Sequence, residues 1–221
     1  MKKDKKKSTK EKILHSALSL FNEEGLINVT IQRIADDCNI SVGNLAYHFQ
    51  YKEELMAHIA AEVSGEISSI INTENKFPIL IDFDNQLSKY HALINRYAFF
   101  FLDVLELERT FPDVHKQRVV HINAMINQIH QWIMENVKKG VFKAEILPDQ
   151  YAHTAHAIWM ITSFWLTQKR VLVRYEQDVE EFKVVVWNQL LPSFTEVGLM
   201  EYEAIILPQL RDTDSIVGFY N

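Results

Sequence analysis

The stretch from Thr30 to Lys52 leaves the chain little conformational choice. Thr30 is a strong helix N-cap, and Ile31, Ile34 and Ala35 repeat behind it at helical spacing through Asp37. Asn39 follows where a tight interhelical turn needs positive φ, a conformation that Asn tolerates best after Gly. Ser41 is a second cap and opens Val42–His48, with Leu45 and Phe49 as its apolar anchors. Two short helices joined so tightly make a helix-turn-helix. Such a unit presents the start of its second helix to a DNA groove.

The flanks agree. Ser8–Glu24 reads as a helix through Ile13, Ala17, Leu20 and Phe21, and Gly25 is its C′ residue. Lys52–Ala61 opens a fourth helix on Leu55, Met56 and Ile59. Residues 72–84, with Pro78, read as a connection. Asn85–Glu108 and Pro112–Lys139 follow as long helices, the second stopped by Gly140. Pro148–Tyr175 and Gln177–Val197 complete the set, with Pro192 bending or shortening the last and Gly198 stopping it. Glu201–Asn221 is a tail with room for a short helix. Six Gly and five Pro in 221 residues leave few interruptions, and no useful strand alternation exists. The fold class expected is all-α. Residues 1–58 form a DNA-binding domain with a basic arm, and residues 59–221 a helical bundle.

The net charge of −6 is unevenly spread. Residues 1–12 hold seven Lys against Asp4 and Glu11, a net +5. Residues 13–58 carry −4 and the remainder −7. The arm is either a solvated tail or a phosphate-tracking extension. Cys38 is the sole cysteine, so no intramolecular disulfide forms, and it reads as a small buried residue rather than a redox sensor. The basic start is not followed by an apolar run. The uncharged stretch Ala152–Gln168 is shorter than the ~20 apolar residues that span a bilayer. No membrane association and a cytoplasmic location are expected. No nucleophile elbow, Gly-rich phosphate loop or His-Glu-x-x-His motif is present, so no enzyme, cofactor or metal site is expected.

The residues Ile13-Leu14, Ala17-Leu18, Leu20-Phe21, Gly25, Thr30, Ile34-Ala35, Ile40-Ser41, Gly43, Leu45, Tyr47-His48-Phe49, Lys52-Glu53 and Leu55 together resemble the N-terminal domain of the TetR/AcrR family of bacterial repressors. The resemblance covers about residues 8–58, with a weaker echo at Gly140–Ala144. One departure is Ala46, where the family usually has Tyr; this shifts weight onto Tyr47. The other is Asn39, in place of the family's turn Gly.

The resemblance implies roles. Val42, Gly43 and Asn44 would meet base edges, with Ser41 capping their helix. Tyr47, His48 and Lys52 would hold phosphates. Thr30 would add a phosphate contact to its cap, and Gln32 an occasional base contact. Arg33 either reaches a phosphate or pairs with a carboxylate. The C-terminal domain would bind a small hydrophobic effector and form a homodimer on a palindromic double-stranded operator. Tyr97, Phe100, Phe101, Trp132, His156, Trp159 and Met160 are the candidate pocket residues, with core packing as their alternative. His153 and His156 share a helix face, better suited to a pocket or dimer interface than to a metal. The expected function is a repressor released from DNA by its effector. The alternative is a DNA-binding regulator without one, constitutive or controlled by a protein partner.

Overall fold

The computed structural model describes residues 8–71, 79–172 and 179–210. Residues 1–7 of the basic arm, 72–78 of the expected connection, 173–178 between the last two long helices, and the tail after 210 lie outside the described residues. Among the described residues the secondary structure is helical, apart from an isolated antiparallel bridge between Phe142 and Phe194. The chain folds as two compact units. One comprises the described part of Met1–Glu66 with Tyr97–Arg118, the other the described parts of Ile67–Arg96 and Val119–Asn221.

The first unit begins with α1 (Thr9–Glu24), α2 (Ile31–Asp37), α3 (Val42–His48) and α4 (Lys52–Ile71), which continues into the second. Ser8 and Glu11 form a reciprocal capping box at the start of α1. Thr30 Oγ1 accepts from Arg33 N at 3.1 Å, and Ser41 Oγ accepts from Asn44 N at 3.1 Å. Gly25 and Asn39 take φ of 83° and 60°. Helices of seven residues do not persist alone in water. Here Ile13, Phe21, Ile34, Leu45, Phe49 and Leu55 are all fully buried, each stabilising the fold by roughly 1.5–3 kcal/mol.

The sequence reads Asn85–Glu108 as one helix; the structure makes it three. They are α5 (Leu80–Arg96), α6 (Ala98–Leu102) and α7 (Val104–Thr110). Helix also starts five residues earlier than the expected connection allows. The chain breaks at Tyr97 and Asp103, which leave helical geometry at ψ of 44° and 36°. Tertiary partners hold both breaks. Asp103 Oδ2 accepts from Leu26 N at 3.0 Å, and Asn22 Oδ1 accepts from Phe99 N at 3.0 Å. Phe99 packs on Phe21 with ring centroids 5.3 Å apart. The segment therefore belongs to the N-terminal core, and this unit extends past residue 58 to Glu66.

The second unit holds α8 (Pro112–Lys138, from Val119 on), α9 (Gln150–Ser163), α10 (Trp165–Val171) and α11 (Val179–Leu190), with α11 packed on both α5 and α9 and α10 packed on α9. The expected Pro148–Tyr175 helix is interrupted at Phe164 and starts after Pro148. Pro192 ends α11 early in a 3-10 turn, Leu191–Ser193. Then α12 (Glu196–Glu201), a π-helical turn (Tyr202–Ile206) and α13 (Leu207–Leu210) follow. Gly198 is not a stop but lies inside α12; a Cβ there would sit 2.1 Å from the Val141 carbonyl oxygen. The core is aromatic. Phe83 stacks on Trp132 at 4.2 Å, and Phe142 on Phe194 at 4.9 Å. Asp84, fully buried, accepts from Lys183 Nζ at 2.7 Å and from Trp187 Nε1 at 3.0 Å, tying α5 to α11.

Candidate nucleic-acid interface and internal cavity

Two side-chain caps and a positive-φ turn fix α3 against α2, and Leu45 and Phe49 anchor its inner face. The outer face stays open. Ser41, Val42, Gly43 and Asn44 are exposed, Tyr47 is 86% exposed and His48 is half-buried. The Tyr47 and His48 rings meet edge to face at 5.3 Å. A Cβ at Gly43 would meet nothing nearer than Ser41 Oγ at 3.9 Å. The fold itself therefore has no steric need for glycine there.

The remaining expected DNA residues divide. Thr30, Gln32 and Arg33 are exposed at the start of α2. The Gln32 amide donates to Asp36 at 2.7 Å, and Arg33 pairs with Glu24 at 2.9 Å and with Asp37 at 3.8 Å. Lys52 faces inward. Its ammonium donates to the carbonyls of Leu26 at 2.5 Å and Val29 at 2.7 Å, and lies over the Phe21 ring. Burial pulls its pKa below the ordinary lysine value, against the opposing pull of Glu53 and Glu106. The expected phosphate ligand thus closes the α1–α2 loop. Tyr51, 61% exposed beside it, was not anticipated. Its only sequence signal is an aromatic residue just outside a recognition helix. Cys38 is half-buried, with Sγ 3.7 Å from the Lys12 carbonyl oxygen.

The expected pocket residues are scattered. Tyr97, Phe100 and Phe101 are buried in the first unit. The Tyr97 hydroxyl donates to Glu66 at 2.8 Å, and the Arg118 guanidinium donates to the Phe100 carbonyl and lies over both Phe rings. Trp132 is in the aromatic core of the second unit. His156 and Met160 are exposed on α9, with Trp159 half-buried against His156.

The second unit holds a cavity of about 40 Å³, and none of those seven residues is among the twelve that line it. Ile67, Ile70 and Ile71 from the end of α4 form one wall. Phe83, Leu87, Met125, Ile129 and Ile158 complete the apolar lining. Gln86, Tyr90, Gln128 and Thr162 are its polar members. The Gln128 amide donates to the Ile71 carbonyl, and the Thr162 hydroxyl to the Trp159 carbonyl at 3.0 Å. Gln86 Nε2 is buried with no acceptor.

A capped helix-turn-helix with an open second helix, carried on an all-α chain, defines the helix-turn-helix class of DNA-binding regulators. Comparison with known proteins makes the class narrower. A family profile described as "Bacterial regulatory proteins, tetR family" matches residues 13–59, and one described as "Bacterial transcriptional repressor" matches residues 50–213. The chain belongs to the TetR family, whose members are transcriptional regulators rather than enzymes. It is similar to the HTH-type transcriptional repressor AcnR of Corynebacterium glutamicum, 22% identical over 68% of this chain and 77% of that protein. It also resembles the probable HTH-type regulator YttP of Bacillus subtilis, 35% identical over only 31% of this chain and 33% of that protein. Its fold is similar to that of a TetR-family regulator from Marinobacter aquaeolei VT8. That match has a TM-score of 0.81 at 24% identity, covering 92% of this chain and 98% of the other. Among the described residues no helix is long and apolar enough to cross a membrane.

Proposed function

We propose that this regulator is a homodimeric, cytoplasmic repressor that binds a palindromic operator through α3 and is released by a small, largely apolar effector in its second unit. The observation that carries the DNA-binding part is the outer face of α3. Val42, Gly43, Asn44 and Tyr47 stand free on a helix held rigidly from behind. A groove requires that arrangement, and the absence of internal crowding at Gly43 fits close approach of a duplex. Asn44 reads a base edge, while Tyr47, His48, Thr30 and the neighbouring Tyr51 hold phosphates. Gln32 and Arg33 act only after exchanging their carboxylate partners for DNA. The basic arm supplies the positive charge that the head lacks.

Dimerisation is supported by apolar exposure on α9 and just beyond it, where Met160 and Phe164 are 47% and 49% exposed in the single chain. Two heads then read half-sites about 34 Å apart, or a multiple of it. For release, the effector favours one packing of the helices around the cavity, and α4, whose last turn lines it, carries the change toward Lys52. The alternative, a regulator without a small-molecule effector, draws support from the cavity's small size.

In vitro selection from a random DNA pool, repeated with and without stabilising compounds found by thermal shift, tests the whole reading. Enrichment of a two-fold symmetric site, bound less tightly in the presence of such a compound, is the expected result. No enriched sequence defeats the operator reading. An operator affinity indifferent to every tightly bound compound defeats release and leaves the alternative.

A further inference from the structure

We infer that the cavity of the second unit selects a small uncharged molecule carrying one hydrogen-bond acceptor, such as a ketone, ester or ether, and that Gln86 is the residue that selects it. This rests on the reading of the second unit as an effector domain. None of the lining side chains is a Lys, Arg, His, Asp or Glu, so an ionic ligand would lose its hydration with no counter-charge to replace it. Gln128 and Thr162 already donate to backbone carbonyls. Gln86 Nε2 is buried and has no acceptor, an arrangement proteins rarely tolerate without a reason. A ligand oxygen beside it relieves that cost, whereas a pure hydrocarbon leaves it in place.

Size narrows the class further. A water needs roughly 10–15 Å³ of such space, so about 40 Å³ holds about three water-sized groups, and a five-membered ring enters only where the walls yield. Met125, unbranched and adaptable, is the wall residue best able to make room for a few further atoms.

The test is titration of the full-length protein with cyclopentanone, cyclopentane, cyclopentanecarboxylate and cyclopentylammonium, read by ligand-observed NMR and thermal shift. Cyclopentanone should bind about tenfold more tightly than cyclopentane, the discrimination one buried hydrogen bond provides. Both ions should bind more weakly than either. Gln86→Leu should bring cyclopentanone down to the level of cyclopentane while leaving ligand-free operator binding unchanged. Gln86→Met offers the same comparison should the Leu variant fail to fold. Equal binding of ketone and hydrocarbon to the native protein overturns the inference. So does tighter binding of either ion, tenfold preference surviving in the variants, or no binding by any of the four. Tenfold preference with an unchanged operator affinity supports the ligand class and defeats only the release reading.

Discussion

On the proposed reading, the folded domain and the operator make opposite demands at Gly43, whereas Tyr47 matters to the operator alone. Gly43 lies within α3 with open space around it, so Gly43→Ala should stabilise the domain by about 0.5–1 kcal/mol through helix propensity. The added methyl would stand where a base edge must approach, so operator binding should weaken. A thermal melt and a binding titration on the same variant check both signs. Tyr47→Ala should leave the melt unchanged, since the ring is exposed, and weaken binding to all sequences by about five- to tenfold, the worth of one hydrogen bond. Its salt dependence should stay the same because no charge is lost. Lys52 behaves differently. Lys52→Met should lower stability by about 1–3 kcal/mol, because it strips the Leu26 and Val29 carbonyls of their donor. Denaturant unfolding of the variant without DNA is the measurement. An unchanged midpoint would return Lys52 to the phosphate backbone. The caps at Thr30 and Ser41 and the turn at Asn39 were legible in the sequence because they are local: cap and capped amide are three residues apart. The partners of Lys52 were not, being more than twenty residues away in the chain.

Among the helices, the ion pair between α5 and α11 is the contact whose loss should cost most. Asp84 and Lys183 are both buried, and the Trp187 indole completes the carboxylate's shell. Lys183→Met alone leaves a buried carboxylate without its charge partner and should cost about 3–5 kcal/mol. Adding Asp84→Leu should restore much of that, since an apolar pair of similar volume is often neutral or better. A double-mutant cycle by chemical denaturation gives the comparison. Among the described residues, helix periodicity found most of the helical segments but not their joints, and it missed the five residues with which α5 begins. The aromatic run at 97–102 looks like one continuous apolar helix. Its breaks at Tyr97 and Asp103 exist because Asn22 and Leu26 bind that backbone and side chain from another helix and its following loop. Gly198 was misread for the same reason: its constraint is the Val141 carbonyl, far away in sequence.

For the molecule as a whole, His121 gives stability an acid-side slope. It is buried beside Ser68, and burial lowers its pKa from the ordinary 6.5. Below about that pH the unfolded imidazole takes up a proton that the folded one refuses. Unfolding therefore gains protons, and stability falls as pH drops from 6.5 toward the lower folded value. His121→Gln should remove that part of the slope while leaving the curve above neutrality nearly unchanged. Unfolding free energies of both proteins between pH 5 and 8 measure it. Identical slopes would mean that the imidazole does not distinguish the folded from the unfolded state.

The amino-acid sequence alone determined an all-α chain with a capped helix-turn-helix at its start. Caps, turns and apolar spacing act within a few residues, where neighbours in the chain are neighbours in space. Only the tertiary structure decided which core received the aromatic run, that Lys52 faces inward, and that Ile67, Phe83, Gln86 and Met125 rather than the conspicuous aromatics surround the cavity. An aromatic side chain buries the same apolar area in any core. Its hydrophobicity says that it will be covered, and only the path of the folded backbone says by what.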